Sequence, residues 1–116
     1  MKALALTKGG SGPPDPIFHA EMANWLEPLT EGRKILEFGC GKGYLSYLLS
    51  AHAREVFAVD TDEDAIKFAR AHYSSPNLVY LHCGVGQIGF AENFFDTVVS
   101  FEVIEHISDY QEYLSE

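Results

Sequence analysis

Along residues 17–29 the apolar positions Ile17, Phe18, Met22, Trp25, Leu26 and Leu29 recur at about helical spacing, and beyond them the rhythm changes to short apolar runs alternating with helical segments. The first pattern predicts an amphipathic helix laid over the body of the domain. Pro28 should end or bend it, because proline lacks the amide hydrogen and crowds the preceding turn. The second pattern predicts four strands: ILEF at 35–38, VFAVD at 56–60, NLVYLH at 77–82 and DTVVSFEV at 96–103. Helices over 43–52 and 62–72 join the first three, Thr61 or Asp62 caps the second of these helices, and Ser108 with Asp109 opens a last helix at 110–114.

Strands separated by helical crossovers form parallel sheets, and strands apolar on both sides need cover on both faces. The prediction is an α/β fold, a Rossmann-like parallel sheet with helices on both faces. Upstream, GGSGPPDP gathers turn-forming residues, so 1–16 reads as a flexible leader and 17–116 as one domain.

Composition narrows the classes. A chain of 116 residues is one domain at most, able to bury roughly two-thirds of the surface that its unfolded form exposes. With 47% hydrophobic and 22% charged residues it has the balance of a globular protein. No run reaches the roughly 18 apolar residues of a membrane span, and the first residues lack the apolar core of a secretory signal. A cytoplasmic location with no membrane partner is therefore expected. The formal net charge of −9 opposes polyanionic partners, since nucleic acid is held by lysine and arginine displacing counterions; no nucleic acid is expected. Cys40 and Cys83 show no metal-ligand spacing, so no metal is expected and both read as small buried residues.

The densest chemistry lies in ILEFGCGKGYL, residues 35–45, where glycine takes every second position between a strand and a helix. Glycine there allows backbone angles closed to other residues and lets a ligand approach the main chain. Such a corner, at the carboxyl edge of a parallel sheet, is where open α/β sheets bind ligands. A dinucleotide corner carries glycine at its first, third and sixth positions; here the sixth is Tyr44 counted from Gly39, or Ser46 counted from Gly41. Glu37, inside the strand, would repel a pyrophosphate and suits a cationic group. Asp60 ends the second strand beside the corner, where a carboxylate accepts both hydroxyls of a ribose.

Taken in order and in their strand contexts, ILEFGCGKG, VFAVDTDEDAI and FDTVVSFEVIEHI resemble the class I S-adenosylmethionine-dependent methyltransferases of the small-molecule type, over residues 33–107. The resemblance implies the cofactor S-adenosyl-L-methionine, a small-molecule methyl acceptor and the strand order 3-2-1-4. It implies that Gly39, Cys40 and Gly41, in the turn that Gly43 completes, pass the methionine end of the cofactor, whose amino group Glu37 orients. Asp60 would take the ribose hydroxyls and Thr61 would lie against the adenine. Phe101 and Glu102 would sit beside the methionine portion and the entrance to the acceptor site. The family usually follows the third strand with an acidic residue for the adenine amino group and then a backbone amide that meets the ring. Val85 holds that acidic position here, a loss of about 1 kcal/mol, while the main-chain contact falls to Gly86.

Methyl transfer demands alignment of nucleophile, methyl carbon and sulfur, and a base where the acceptor must lose a proton. Glu102, Glu105 and His106 are the candidate bases, His106 also having a structural reading as a histidine bonded to nearby backbone. His19, His52, His72 and His82 carry no partner signal and read as surface or helix-end residues. The family continues with three more strands, so an incomplete sheet is expected, with the later strands absent and DTVVSFEV as an exposed apolar edge. Two functions follow: the cofactor-binding part of a methyltransferase, active in a complete chain or complex, or a non-catalytic module that binds a partner chain or a second copy through that edge.

Overall fold

The computed structural model describes residues 2–5, 16–84 and 94–100. In chain order the elements are β1 (Lys2–Ala5), α1 (Pro16–Thr30), β2 (Lys34–Phe38), α2 (Tyr44–Ser50), β3 (Glu55–Asp60), α3 (Glu63–His72), β4 (Leu78–His82) and β5 (Thr97–Ser100). They form one parallel sheet in the order β1-β5-β2-β3-β4. The predicted order 3-2-1-4 is the run β4-β3-β2-β5 within it.

Strand alternation sorts the core into two faces. Ile35, Val56, Ala58, Leu78, Tyr80 and Val99 pack with Leu26 of α1, Leu45 and Leu49 of α2, and Ile66 and Ala69 of α3. Leu36, Phe38, Val59 and Val98 form the other face, with Phe95 against them. The described helices thus cover one face; the helix expected at 110–114 lies outside the described residues. Among the described residues no helix is long and apolar enough to cross a membrane.

Residues 2–5 correct the expected leader. They form β1, paired with β5 from Lys2 opposite Thr97 to Ala5 opposite Ser100. An unpaired strand edge presents a row of free amides and carbonyls, and β1 satisfies that row on β5, so the edge expected to stand open is occupied. The remainder of the expected leader, residues 6–15, lies outside the described residues.

Helix α1 also departs from expectation, running through Pro28 to Thr30. Proline removes one amide from the last turn, but Thr30 Oγ1 donates to Leu26 O at 3.0 Å and the Glu31 amide to Glu27 O at 2.9 Å, which keeps that turn closed. Trp25, counted on the buried face, is 59% exposed, because the stripe that meets the core is Met22, Ala23, Leu26 and Leu29. Helix α3 begins where Asp62 accepts from the amides of Asp64 and Ala65, an N-cap interaction. Asn77 donates to the carbonyls of Ser50 and Ala53, tying the end of α2 to the start of β4.

Of the histidines expected at the surface or at helix ends, His72 and His82 are exposed and His19 and His52 are half-buried, and each has a local contact. His52 Nε2 lies 2.9 Å from Thr30 Oγ1, His82 Nε2 3.0 Å from Thr61 O, His72 stacks on Phe68, and His19 meets Tyr44 edge to face.

Candidate functional site

Strands β2 and β3 end side by side, Phe38 opposite Val59, and the chain leaves β2 through the corner at residues 39–43. Gly39, Gly41 and Gly43 all take positive φ, at 70°, 57° and 90°. Alternate left-handed residues fold the backbone back on itself: the amides of Gly39 and Cys40 both donate to Val59 O, at 2.9 and 3.1 Å, and the Gly43 amide donates to Cys40 O at 3.1 Å. The Gly41 amide donates to Asp60 Oδ2 at 2.8 Å. The amides of Gly39, Cys40, Gly41 and Gly43 are therefore bonded within the protein and are not presented to a phosphate.

Two glycines serve different ends. A Cβ on Gly41 would meet nothing within 4 Å, so the corner faces open space there. A Cβ on Gly43 would lie 2.5 Å from Tyr80 Oη and 2.8 Å from Ala69 Cβ. Gly43, expected among the cofactor contacts, thus owes its missing side chain to packing against β4 and α3. The Tyr80 hydroxyl donates to Tyr73 O at 2.7 Å and lies 3.2 Å from Gly43 O, and burial holds its pKa well above the usual phenol value.

Glu37 points to the helical face of the sheet, where it is 1% exposed. Burial, the dominant cause, pushes its pKa from 4.5 up to about 7; the Ser46 hydroxyl opposes the rise and the nearby charge of Asp60 adds to it. Ser46 Oγ donates to Glu37 Oε1 at 2.5 Å. Among the described residues no donor reaches the second carboxylate oxygen.

Asp60 is half-buried at the end of β3. Besides accepting from Gly41, it takes the Asp62 amide on Oδ1 at 2.8 Å. Each carboxylate oxygen accepts more than one hydrogen bond, so acceptor capacity for two hydroxyls remains. Thr61 follows it, exposed, and Cys40, within the corner, is buried.

The structure thus brings together Glu37, Gly39, Cys40, Gly41, Gly43, Asp60 and Thr61. Val85, Gly86, Phe101, Glu102, Glu105 and His106 lie outside the described residues. Two residues that the sequence reading missed are built into the site: Ser46 under Glu37 and Tyr80 under Gly43. Ser46 had a signal, since a serine beside Leu45 on the buried stripe of a short apolar helix needs a polar partner.

A profile of the methyltransferase domain family matches residues 36–116. The chain belongs to the class I S-adenosylmethionine-dependent methyltransferases. Among curated members it is 35% identical, over 98 residues and 84% of its length, to a probable S-adenosylmethionine-dependent methyltransferase of Mycobacterium tuberculosis. It is also 35% identical, over 72% of its length, to a ubiquinone biosynthesis O-methyltransferase of a Ruegeria species. The chain spans 35% of the length of each, so it corresponds to about a third of these methyltransferases. Solved structures agree on the fold. A putative S-adenosylmethionine-dependent methyltransferase from Listeria monocytogenes superposes with a TM-score of 0.69 at 19% identity, over 85% of this chain and 47% of that one. The 23S rRNA methyltransferase ErmE superposes with a TM-score of 0.69 at 22% identity, over 89% of this chain and 42% of that one.

Proposed function

We propose that this chain is the cofactor-binding part of a methyltransferase, holding S-adenosylmethionine across the carboxyl ends of β2 and β3 for transfer of its methyl group to a small-molecule acceptor. The observation that carries the reading is the pairing of two carboxylates, Glu37 and Asp60, with a glycine corner in which the amides of Gly39, Cys40, Gly41 and Gly43 are bonded internally. Such a corner offers negative charge and open space, which suits a ligand with an ammonium, a sulfonium and a diol and disfavours one with phosphates. The residues fit the cofactor: Glu37 has an oxygen free for the ammonium, Asp60 has capacity for the ribose hydroxyls, and Gly41 leaves the backbone open to the methionine chain.

The bound cofactor supplies a methyl group on a positively charged sulfur. The protein's part is to hold that carbon in line with the acceptor, so that rate comes from alignment. Phe101, Glu102, Glu105 and His106 follow β5 in sequence, and we assign the acceptor side, including any base, to that segment.

A small-molecule acceptor is favoured by the net charge of −9 and by relatives named for ubiquinone biosynthesis. The likeness to ErmE, at 22% identity, is a likeness of fold. The rival reading, a non-catalytic module docking through an open edge of β5, loses its premise because β1 occupies that edge.

Calorimetry with S-adenosylhomocysteine tests the cofactor site. The chain is expected to bind, and Gly41→Val to abolish binding by filling the open space. Absence of both heat and thermal stabilisation at millimolar ligand would refute the reading. For the acceptor, transfer of a labelled methyl group by the whole protein should label quinone-like phenols, and label appearing in RNA would exclude the small-molecule assignment.

A further inference from the structure

Helix α2 holds two buried serines that behave differently. Ser50 does what serines in helices commonly do: its hydroxyl donates to a carbonyl of its own helix, Tyr47 O, at 2.6 Å. Ser46 instead reaches out of the helix to β2 and donates to Glu37 Oε1, nine residues back in sequence. Both partners are within 1% of complete burial, so neither exchanges this bond for one to water. A hydroxyl has one hydrogen to donate, and here it goes to a carboxylate whose other oxygen meets no donor among the described residues.

We propose that Ser46 is a positioning residue of the cofactor site: its hydroxyl favours the ionised form of the Glu37 carboxyl and holds it in the orientation that leaves Oε2 for the ammonium of the cofactor. The inference rests on the function proposed above. A buried carboxyl without a donor reverts to the neutral acid. The neutral acid has a proton of its own to place and attracts an ammonium weakly. The bond from Ser46 counters that tendency, and the geometry lets it do so without consuming the oxygen the ligand needs.

The other titratable groups around Glu37 are Asp60 at the end of β3, Cys40 in the corner and Tyr80 of β4. Asp60 disfavours the ionised form by repulsion. Tyr80 stays a neutral phenol over the working range. Ser46 is thus the one group among those acting on Glu37 that favours its charge.

The test compares two ligands on the full chain. S-adenosylhomocysteine carries the ammonium; 5′-methylthioadenosine carries the same ribose and adenine without it. Affinities are measured by calorimetry from about pH 6 to about pH 9 for the parent, Ser46→Ala and Ser46→Thr. Ser46→Ala is expected to move the midpoint of S-adenosylhomocysteine binding upward by about one pH unit, an affinity loss of about fivefold at about pH 7 that approaches about tenfold at lower pH and is recovered at high pH. Methylthioadenosine binding should not change, and Ser46→Thr should restore the parent profile. Titration of the ligand itself is common to all three proteins and cancels. Ser46→Cys, of similar volume and with a weaker donor, should move the midpoint in the same direction if the alanine variant fails to fold. The proposal is overturned if Ser46→Ala weakens both ligands alike at every pH, which is a packing effect, or leaves S-adenosylhomocysteine untouched. A parent that binds neither ligand refutes the cofactor assignment itself, a separate and recognisable result.

Discussion

Replacing Glu37 by glutamine separates what the buried carboxylate costs from what it does. In the unfolded chain this carboxyl ionises near 4.5, and in the fold near 7, chiefly because it is buried. Between those values the native state keeps a proton that the unfolded state has released, so stability falls as pH rises; the advantage is full below 4.5 and gone above 7. At about 1.4 kcal/mol per pH unit the whole fall is about 3 kcal/mol. Glutamine keeps an oxygen for the Ser46 hydroxyl and cannot ionise, so it removes this slope. Its two amide hydrogens, if unpaired, cost about 1–3 kcal/mol at every pH. Denaturation of parent and Glu37→Gln in urea, at about pH 5.5 and about pH 8.5, should show the variant gaining about 2 kcal/mol on the parent between the two conditions, the part of the slope that lies above pH 5.5. Over the same range its affinity for S-adenosylhomocysteine should be at least about tenfold weaker at pH 8, because a charge-assisted contact of about 1.5–3 kcal/mol is lost. A stability difference that does not change with pH would show that Glu37 is not a desolvated, titrating acid. Unchanged affinity would remove it from the ammonium site.

Two further substitutions probe the corner. Gly43→Ala places a methyl 2.5 Å from Tyr80 Oη at a φ of 90°, and overpacking plus a left-handed alanine should cost about 3 kcal/mol in denaturant unfolding; Tyr80→Phe in that background should return part of it, and a parent-like midpoint for Gly43→Ala alone would refute the packing role. Asp60→Asn turns a donor toward amides that now donate to it, so stability should fall by about 1–2 kcal/mol. Asp60→Asn should also weaken methylthioadenosine and S-adenosylhomocysteine together, since both carry the ribose; a variant that binds methylthioadenosine like the parent would take the ribose away from Asp60.

The strands β2, β3 and β4 were legible in the sequence to within a residue: β2 and most of β3 are buried on both faces and write a near-unbroken apolar run, β4 at the sheet edge keeps Leu78 and Tyr80 buried while Val79 is exposed, and the turns are marked by glycine, proline and asparagine. Glu37 and Asp60 were legible for the complementary reason: a carboxylate inside or at the end of such a run needs a purpose. β1 was hidden. Four residues, KALA, are too few to display a period, and the turn-formers that follow them drew the whole segment into a loop. Its strand character comes from β5, a partner far along the chain. The reason for Gly43 was equally hidden, since it depends on Tyr80 and Ala69, which only the folding of α3 and β4 brings beneath the corner. The residues assigned to the acceptor side lie outside the described residues, so that part of the expectation stands on resemblance.

Glycine corners are usually credited with presenting free amides to a ligand, and this one works the other way. Gly39 and Cys40 both turn their amides onto Val59 O, and Asp60 receives the Gly41 amide while remaining able to accept hydroxyls. The same bond that closes the corner therefore fixes the Asp60 carboxylate, the group proposed to take the ribose hydroxyls. Freeing the Gly41 amide for an anion would require losing the Asp60 bond, and keeping Asp60 excludes the anion by both occupancy and charge. Glu37 extends the argument downward. Its carboxyl is buried below the corner, opposite in sign to a phosphate site, and Ser46 offsets part of the resulting penalty from within α2. Glycine spacing, the acid inside β2, the acid ending β3 and the serine in the helix are thus one device, and its electrostatic sign follows from where the amides go rather than from the number of glycines.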